Sequence, residues 1–230
     1  PSPTVDIYAN GALFEDDFAF RTATAFQTLP AGVELNIGVA LGTSTSVADT
    51  LVNFPVTFEN GKTYVVIANG IVGSEETPFT LAVTDMAQEA STDAAAVQFQ
   101  AFHGSPGAPA VDVDARTVGN LLSNLPYGSF SDGYLSVPPA LYYLDVRAAG
   151  SPDIVATFEA DLSGLGGGAA TVFASGLLGV EPGFGLFAAL PDGTVAEFPA
   201  ASVARVQIIH NSPSPTVDIY ANGALFEDDF

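Results

Sequence analysis

The chain has 230 residues, and its 26 acidic side chains against 5 Lys and Arg give a net charge of −21, which excludes a basic surface for nucleic acid. Hydrophobic residues make up 48% of the chain, enough for packed cores, and the absence of cysteine excludes disulfides, thiolate metal sites and cysteine nucleophiles. No apolar run reaches the roughly 18 residues that a transmembrane helix needs, so we expect no membrane insertion in this segment.

Short runs rich in Val, Ile, Phe, Tyr and Thr recur along the chain and predict β-strands. In the first half these runs are 4–8, 12–14, 33–40, 52–58, 64–69 and 79–84. From Val33 to Val39 an apolar residue stands at every second position, which is typical of a strand with one buried face. Asn10-Gly11 and Asn60-Gly61 predict tight hairpin turns, because both residue types tolerate positive φ.

The second half of the chain also consists of short predicted strands. Its predicted strands are 97–102, 111–115, 134–137, 141–148, 154–158, 171–175, 184–189 and 195–198. The one candidate helix, 85–96, lacks both a cap and an apolar stripe. Seven or eight short strands in about 106 residues predict an all-β fold, with tandem antiparallel β-sandwich modules of the immunoglobulin-like type.

The sequence repeats itself on two length scales. Residues 213–230 are identical to residues 1–18, an offset of 212 (213 minus 1). A weaker repeat aligns Asp6, Asp112 and Asp218 at steps of 106 (112 minus 6, and 218 minus 112). We therefore expect module A at 1–96 without its opening strand, module B at 97–202, and the start of the next module A at 203–230. The chain is interpreted as one period of a longer repetitive protein.

A polar motif marks the start of each module. Its members are His103, Ser105, Pro106 and Asp112 in module B, His210, Ser212, Pro213 and Asp218 in the third copy, and Asp6 in module A. A Ser-His-Asp set can serve nucleophilic catalysis, but a serine two positions from its histidine has no oxyanion hole nearby in the sequence. We interpret the motif as a structural latch at a strand end, and we expect no enzyme.

The pattern His-x-Ser-Pro-x-x-Pro-x-Val-Asp-Val, followed by a Gly-bearing turn and a Leu-Pro-x-Gly stretch, resembles the bacterial domain-of-unknown-function family 4397. Residues 103–113 carry the resemblance best, and 1–8 and 210–220 match with one residue fewer in the loop. The resemblance implies a β-sandwich, in tandem, in secreted or surface proteins, and it implies no chemistry. Module A departs from the pattern at 19–28. We expect an extracellular or cell-surface location in a prokaryote.

An acidic cluster, Glu15-Asp16-Asp17, is the densest in the chain and could contribute oxygens to calcium. It lacks the alternating acidic spacing and the distal glutamate of a calcium loop. We interpret it as a solvated loop and expect no cofactor, with calcium as the open alternative.

Residues 203–210 correspond to the strand that module A lacks, so one end of the chain has a surplus strand and the other has a vacancy. The residues predicted to pair between modules are Val203, Val206, Ile208, Val217, Ile219 and Tyr220. This arrangement predicts a structural subunit or repeat unit of an extracellular filament, stalk or adhesin shaft, whose partners are identical modules packed end to end or joined by strand complementation. The alternative is a surface module that binds carbohydrate or a calcium-bridged partner, using acidic loops and exposed aromatic residues such as Tyr127 and Tyr134.

Overall fold

The computed structural model describes residues 4–204, 206–221 and 223–229. The first half contains β1 (Val5–Ala9), β2 (Ala12–Phe18), β3 (Glu34–Leu41), β4 (Val52–Thr57), β5 (Val65–Asn69) and β6 (Thr80–Thr84), with a short 3-10 helix at Val47–Asp49. The second half contains β7 (Val97–His103), β8 (Val111–Ala115), β9 (Gly119–Leu125), β10 (Leu135–Val137), β11 (Leu141–Ala148), β12 (Ile154–Asp161), β13 (Ala169–Ser175), β14 (Gly185–Ala189) and β15 (Val195–Phe198). The tail contains β16 (Ile219–Ala221) and β17 (Ala224–Glu227).

The all-β prediction is confirmed, and no α-helix occurs in the described part of the chain. Residues 85–96 are irregular apart from one isolated bridge, in agreement with their lack of a helix cap. One strand escaped prediction. β9 has the sequence Gly-Asn-Leu-Leu-Ser-Asn-Leu, which contains no β-branched or aromatic residue and so gives no strand signal of its own.

Module B is a β-sandwich of two sheets. One sheet has the strand order β12-β11-β8-β9 and the other the order β10-β7-β13-β14-β15. Side chains from both sheets form one core, whose buried members are Val97, Ala115, Val137, Tyr142, Leu144, Val146, Phe158, Ala160 and Leu186. Burial of this apolar surface is the main stabilising contribution to the module.

The antiparallel prediction is wrong for one pair of strands. β7 and β13 run parallel, with Gln98 opposite Ala169 and His103 opposite Ala174. After β7 the chain passes through β8 and β9 of the other sheet, returns as β10 antiparallel to β7, and passes through β11 and β12 before β13 pairs with β7 in the same direction. A parallel pair needs such a long connection, whereas a hairpin cannot make one.

Module A repeats the first sheet of module B but only part of the second. Its sheet order, β2-β1-β3-β4, matches β9-β8-β11-β12 strand for strand, and its second sheet is the hairpin β5-β6. The same aromatic pair joins the two sheets in each module. The ring centroids of Phe54 and Phe79 are 6.1 Å apart, and those of Phe158 and Phe184 are 5.8 Å apart.

The duplicated eighteen residues form the same hairpin twice. Tyr220 lies opposite Leu225 in the tail, as Tyr8 lies opposite Leu13 in module A. Tyr8 is only 6% exposed because β3 lies beside β1, whereas Tyr220 is 60% exposed. The hairpin register therefore follows from the local sequence, and burial follows from the neighbouring strands.

The predicted strand at 203–210 is wrong for the single chain, since the described residues 203–204 and 206–210 form no strand. Val203, Val206 and Ile208 are exposed, and Val217 lies just before β16, which holds Ile219 and Tyr220. No described strand of modules A or B pairs with this region. Pairing of these residues with another module stays a prediction.

Candidate functional site

The motif of module B ties its opening strand to the rest of the sandwich. The buried ring of His103 lies at the end of β7, and its Nε2 is 2.9 Å from the carbonyl oxygen of Pro109. The N–H of Ser105 donates to Nδ1, so Nε2 carries the proton. Ser105 is also buried, and its Oγ donates to the carbonyl of Gly176 at 2.7 Å. Pro106 lies in the turn that follows.

The motif aspartates hold a bulge in the neighbouring strand. Asp112 accepts hydrogen bonds from the N–H groups of Gly150 and Asn124 at 2.9 and 2.7 Å, and these bonds hold the pKa of its carboxyl below the ordinary value. Asp6 accepts a hydrogen bond from the N–H of Asp17 at 2.9 Å. Asn124 and Asp17 both have positive φ, 52° and 51°, so each aspartate stabilises a left-handed residue.

The tail copy keeps this contact, with the N–H of Asp229 donating to Asp218 at 3.0 Å. The hydroxyl of Ser212 donates to the carbonyl of Ser214, and Pro213 is exposed. His210 is half-buried. In module B, the side-chain hydrogen bonds of His103, Ser105 and Asp112 go to main-chain groups, which suits a structural use of the motif.

The stability of module B is expected to fall as the pH drops below about 6.5, the ordinary pKa of histidine. Burial lowers the pKa of His103, and the hydrogen bond to Pro109 opposes this only in part. The unfolded chain therefore takes up a proton before the folded chain does, so the free energy of unfolding decreases between the unfolded and the folded pKa and is unaffected above the unfolded pKa. Urea midpoints at about pH 7.5 and about pH 5.5 measure this slope.

The variant His103→Gln should lose this pH dependence, whatever its stability at neutral pH. His210→Gln is the matched control, since His210 lies outside module B, and it should keep the slope. Equal slopes in His103→Gln and the parent chain would contradict the prediction.

The acidic cluster Glu15-Asp16-Asp17 lies in β2 of module A, and Asp17 accepts a hydrogen bond from Thr4 Oγ1 at 2.8 Å. In the part of the chain that the structure describes, the one group of three carboxylates close enough to share an ion is Asp218, Asp228 and Asp229 in the tail. All three are exposed, and exposed acidic groups commonly cluster without an ion. Calcium binding stays a prediction.

The expectation that Tyr127 and Tyr134 are exposed is wrong, and binding by these residues stays a prediction. Both are half-buried at the junction of the two modules, and burial raises the pKa of both phenols. The Oη of Tyr134 accepts a hydrogen bond at 2.8 Å from the N–H of Gln88, which follows module A's last strand.

The two modules exchange equivalent contacts at this junction. Arg21 follows β2 in module A, Gly128 follows β9 in module B, and both have positive φ, 64° and 76°. Arg21 donates to the carbonyl of Ser175, the last residue of β13. Gly128 in turn lies against Asn69, the last residue of β5, since a Cβ built on it would be 3.7 Å from Asn69 Nδ2. Because β13 and β5 are equivalent strands, each contact mirrors the other.

A second pair of contacts also joins equivalent parts of the two modules. The N–H of Phe26 in module A donates at 3.1 Å to the carbonyl of Pro191, just after β14. Tyr134, the equivalent residue of module B, accepts from Gln88, just after β6. Each module thus places the segment after its first hairpin on the second hairpin of the other. Such an isologous contact is closed, and it differs from the end-to-end packing expected for this junction.

Arg21 is the central side chain of the junction. Its Nη2 donates to the carbonyls of Gly183 and Ser175 at 2.6 and 3.2 Å, and its guanidinium lies 4.3 Å from the ring centroid of Phe187. Burial lowers the pKa of this guanidinium, and the charges of Glu197 and Glu181 oppose the shift. The planar cation therefore combines two charge-assisted hydrogen bonds with a cation–π contact.

Replacing Arg21 with alanine is expected to weaken the coupling of the modules by on the order of 1–3 kcal/mol, the value of charged hydrogen bonds and a cation–π contact together. Differential scanning calorimetry should then show module A unfolding separately at lower temperature. Lys62→Ala is the charge-matched control, because the Lys62 ammonium pairs with Glu59 and Asp85 at the exposed surface, and its removal should leave the melting curve nearly unchanged. A single unshifted transition in Arg21→Ala would contradict this role.

Module A has an open edge beside β5. β5 pairs with β6 on one side, and no described strand lies on its other side, where β7 lies against β13 in module B. The core-facing residues of the hairpin are consequently exposed. Val66 and Val83 are 40% and 42% exposed, whereas Ala188, the equivalent of Val83, is 6% exposed.

Residues 1–114 match the family model of DUF4397, a domain of unknown function. This part of the chain belongs to the DUF4397 family. The match runs from β1 into β8 and so includes the whole of module A, the linker and the motif of module B. A comparison with curated proteins finds no significant match.

No helix in the described ranges of this chain is long and apolar enough to cross a membrane. Sequence reasoning located the motif but missed Arg21, the central residue of the junction. One signal was present, since the chain has only 5 Lys and Arg and Arg21 lies where module A departs from the family pattern.

Proposed function

We propose that this chain is a structural repeat unit of an extracellular filament, stalk or adhesin shaft. The observation that supports it best is the open edge of β5 in a chain that also carries an exposed copy of a module's opening segments. An unpaired edge with apolar residues beside it is a template for pairing with another strand. The unit has no reaction of its own in this proposal.

The closed junction of modules A and B adds to the argument. An isologous contact uses the same surface on both partners and cannot propagate, so growth of an assembly requires a different surface. The open edge of module A and the exposed tail are different surfaces, and they lie in different parts of the chain. A contact between them is heterologous, and heterologous contacts build open chains unless a rotation closes them into a ring.

The composition supports an exposed, extracellular setting. A net charge of −21 keeps assembled units soluble, and few Lys and Arg leave few sites for trypsin-like proteases. The main-chain partners of His103, Ser105 and Asp112 support a latch in module B rather than a reaction centre.

The test is the state of the purified chain as its concentration rises. Light scattering and negative-stain electron microscopy are expected to show linear oligomers that lengthen with concentration, to the same extent in EDTA and in calcium. Val66→Asp places a charge on the open edge and should leave monomers with an unchanged circular dichroism spectrum. Val118→Asp is the matched control, because Val118 is exposed in the turn before β9 and should leave assembly intact. A chain that stays monomeric at every concentration refutes the proposal.

A further inference from the structure

We propose that residues 206–210 of one copy of this chain pair in parallel with β5 of a second copy, with Ile208 opposite Val66 and His210 opposite Ala68. This inference rests on the proposed function. It specifies the partner and the strand register of the contact through which the assembly grows. The partner is a second copy because the sequence that fits the edge is present in the chain itself.

Module B supplies the template for this pairing. There β7 lies against β13 in parallel, with Phe99 opposite Ala170, Ala101 opposite Val172 and His103 opposite Ala174. The 106-residue repeat carries Ala170, Val172 and Ala174 to Tyr64, Val66 and Ala68 of β5. The opening strand of module B thus fixes which residue of an incoming strand faces which residue of β5.

The tail carries the same pattern as β7. Aligned on their histidines, Val206, Gln207, Ile208, Ile209 and His210 follow Phe99, Gln100, Ala101, Phe102 and His103. Apolar residues recur at the same places, and glutamine occupies the same place in both. Val206 and Ile209 are 77% and 73% exposed in the single chain, a large apolar exposure for a segment with this strand-forming composition.

The edge of module A is shaped to receive this strand. Val66 and Ala68 alternate with Val65 and Ile67, and the first two are exposed while the second two are half-buried. In module B the equivalents of Val66 and Ala68, Val172 and Ala174, pack against the core. A strand that covers β5 would bring Val206 and Ile208 onto the same face as Val66 and Ala68 and close the sandwich.

The latch of module B has its counterpart in this complex. Ser105 Oγ donates to the carbonyl of Gly176, which follows β13 with φ of 87°. Gly70 follows β5 with φ of 95° and occupies the same place. Ser212 of the incoming tail would therefore turn its hydroxyl from Ser214 to the carbonyl of Gly70 in the second copy.

The hairpin β16-β17 stays outside the new pairing. Its place in module A is already taken by β1-β2, which has the same sequence in the described positions and the same register. The contact is therefore limited to the strand at 206–210 and its latch, and each copy both receives a strand and offers one.

Engineered cysteine pairs test the register, and they are unambiguous because the natural chain has no cysteine. In the full chain carrying Val66→Cys and Ile208→Cys, mild oxidation should give a ladder of covalent multimers on non-reducing electrophoresis. The out-of-register control carries Val66→Cys and Gln207→Cys, whose side chains point to opposite faces in the proposed pairing. We expect about tenfold less multimer from the control, because a disulfide requires close and facing Cβ atoms.

Equal ladders from both pairs, or no ladder from either, overturn the register. A single covalently closed monomer shows that the tail inserts into its own module, which overturns the second copy as partner. Failure of the proposed function gives a different result. A ladder that stops at two chains keeps the register but refutes a filament. Filaments without an in-register ladder refute the register but keep the proposed function. A synthetic peptide with the sequence of residues 203–212 should block growth of the unmodified chain, and a scrambled peptide should not.

Discussion

Replacing Phe158 with alanine is expected to lower the free energy of unfolding of module B by about 3–5 kcal/mol, the usual range for removing a buried aromatic ring. Phe158 is 4% exposed and joins the two sheets through its contact with Phe184. Its ring belongs to the buried core of module B, and close-packed neighbours fill the space left by a removed core side chain only in part. Chemical denaturation followed by circular dichroism measures the loss.

The equivalent substitution in module A, Phe54→Ala, is the matched comparison and should have a smaller effect, roughly 2 kcal/mol. Phe54 makes the same contact with Phe79 but is only half-buried, in a sandwich that is open beside β5. A peptide that fills the edge should increase the effect of Phe54→Ala and leave that of Phe158→Ala unchanged. Equal losses in the two modules without peptide would show that module A is already closed.

Most of the fold could be predicted from local sequence signals. Alternation from Val33 to Val39 gives β3, and Asn10-Gly11 gives the turn between β1 and β2. These signals are local, so they hold wherever the segment is placed. The identical hairpins at the two ends of the chain show this directly, because they keep one register although one is packed in a sheet and the other is exposed.

The direction of β7 and the absence of a strand in the described residues 203–204 and 206–210 could not be predicted in this way. Side-chain alternation is the same in a parallel and an antiparallel strand, so the pattern of β7 does not reveal its direction. The tail segment has a strong strand pattern, but a strand forms only where another strand pairs with it, and no described strand of modules A or B pairs with this segment. Partner availability is a property of the assembly rather than of the segment.

The junction of the modules lies beyond local signals for the same reason. Arg21 reaches carbonyl groups more than 150 residues away in sequence, on Ser175 and Gly183 (separations of 154 and 162). Its positive φ aims the side chain away from module A, and a left-handed arginine has no signature in composition or periodicity. Comparison of the modules is informative here, since Gly128 marks the same backbone position.

Gly176→Ala is expected to destabilise module B by roughly 3 kcal/mol or more, through backbone strain and a main-chain clash together. Gly176 has φ of 87°, and a Cβ there would lie 2.1 Å from the carbonyl oxygen of Gly183 and 2.5 Å from Arg21 Nη2. Its carbonyl also accepts the hydrogen bond from Ser105. The substitution therefore disturbs the latch, the hairpin between β13 and β14, and the junction with module A.

Gly179→Ala separates strain from clash in the same loop. Gly179 has φ of 75°, but a Cβ there meets no atom within 4 Å, so only the strain of about 1 kcal/mol applies. Chemical denaturation should therefore rank Gly176→Ala well below Gly179→Ala in stability. In Gly176→Ala, calorimetry should also resolve module A as a separate transition, because the new methyl group displaces Arg21. Similar losses for the two variants would mean that the loop after β13 moves freely, in which case neither the latch nor the junction depends on its position.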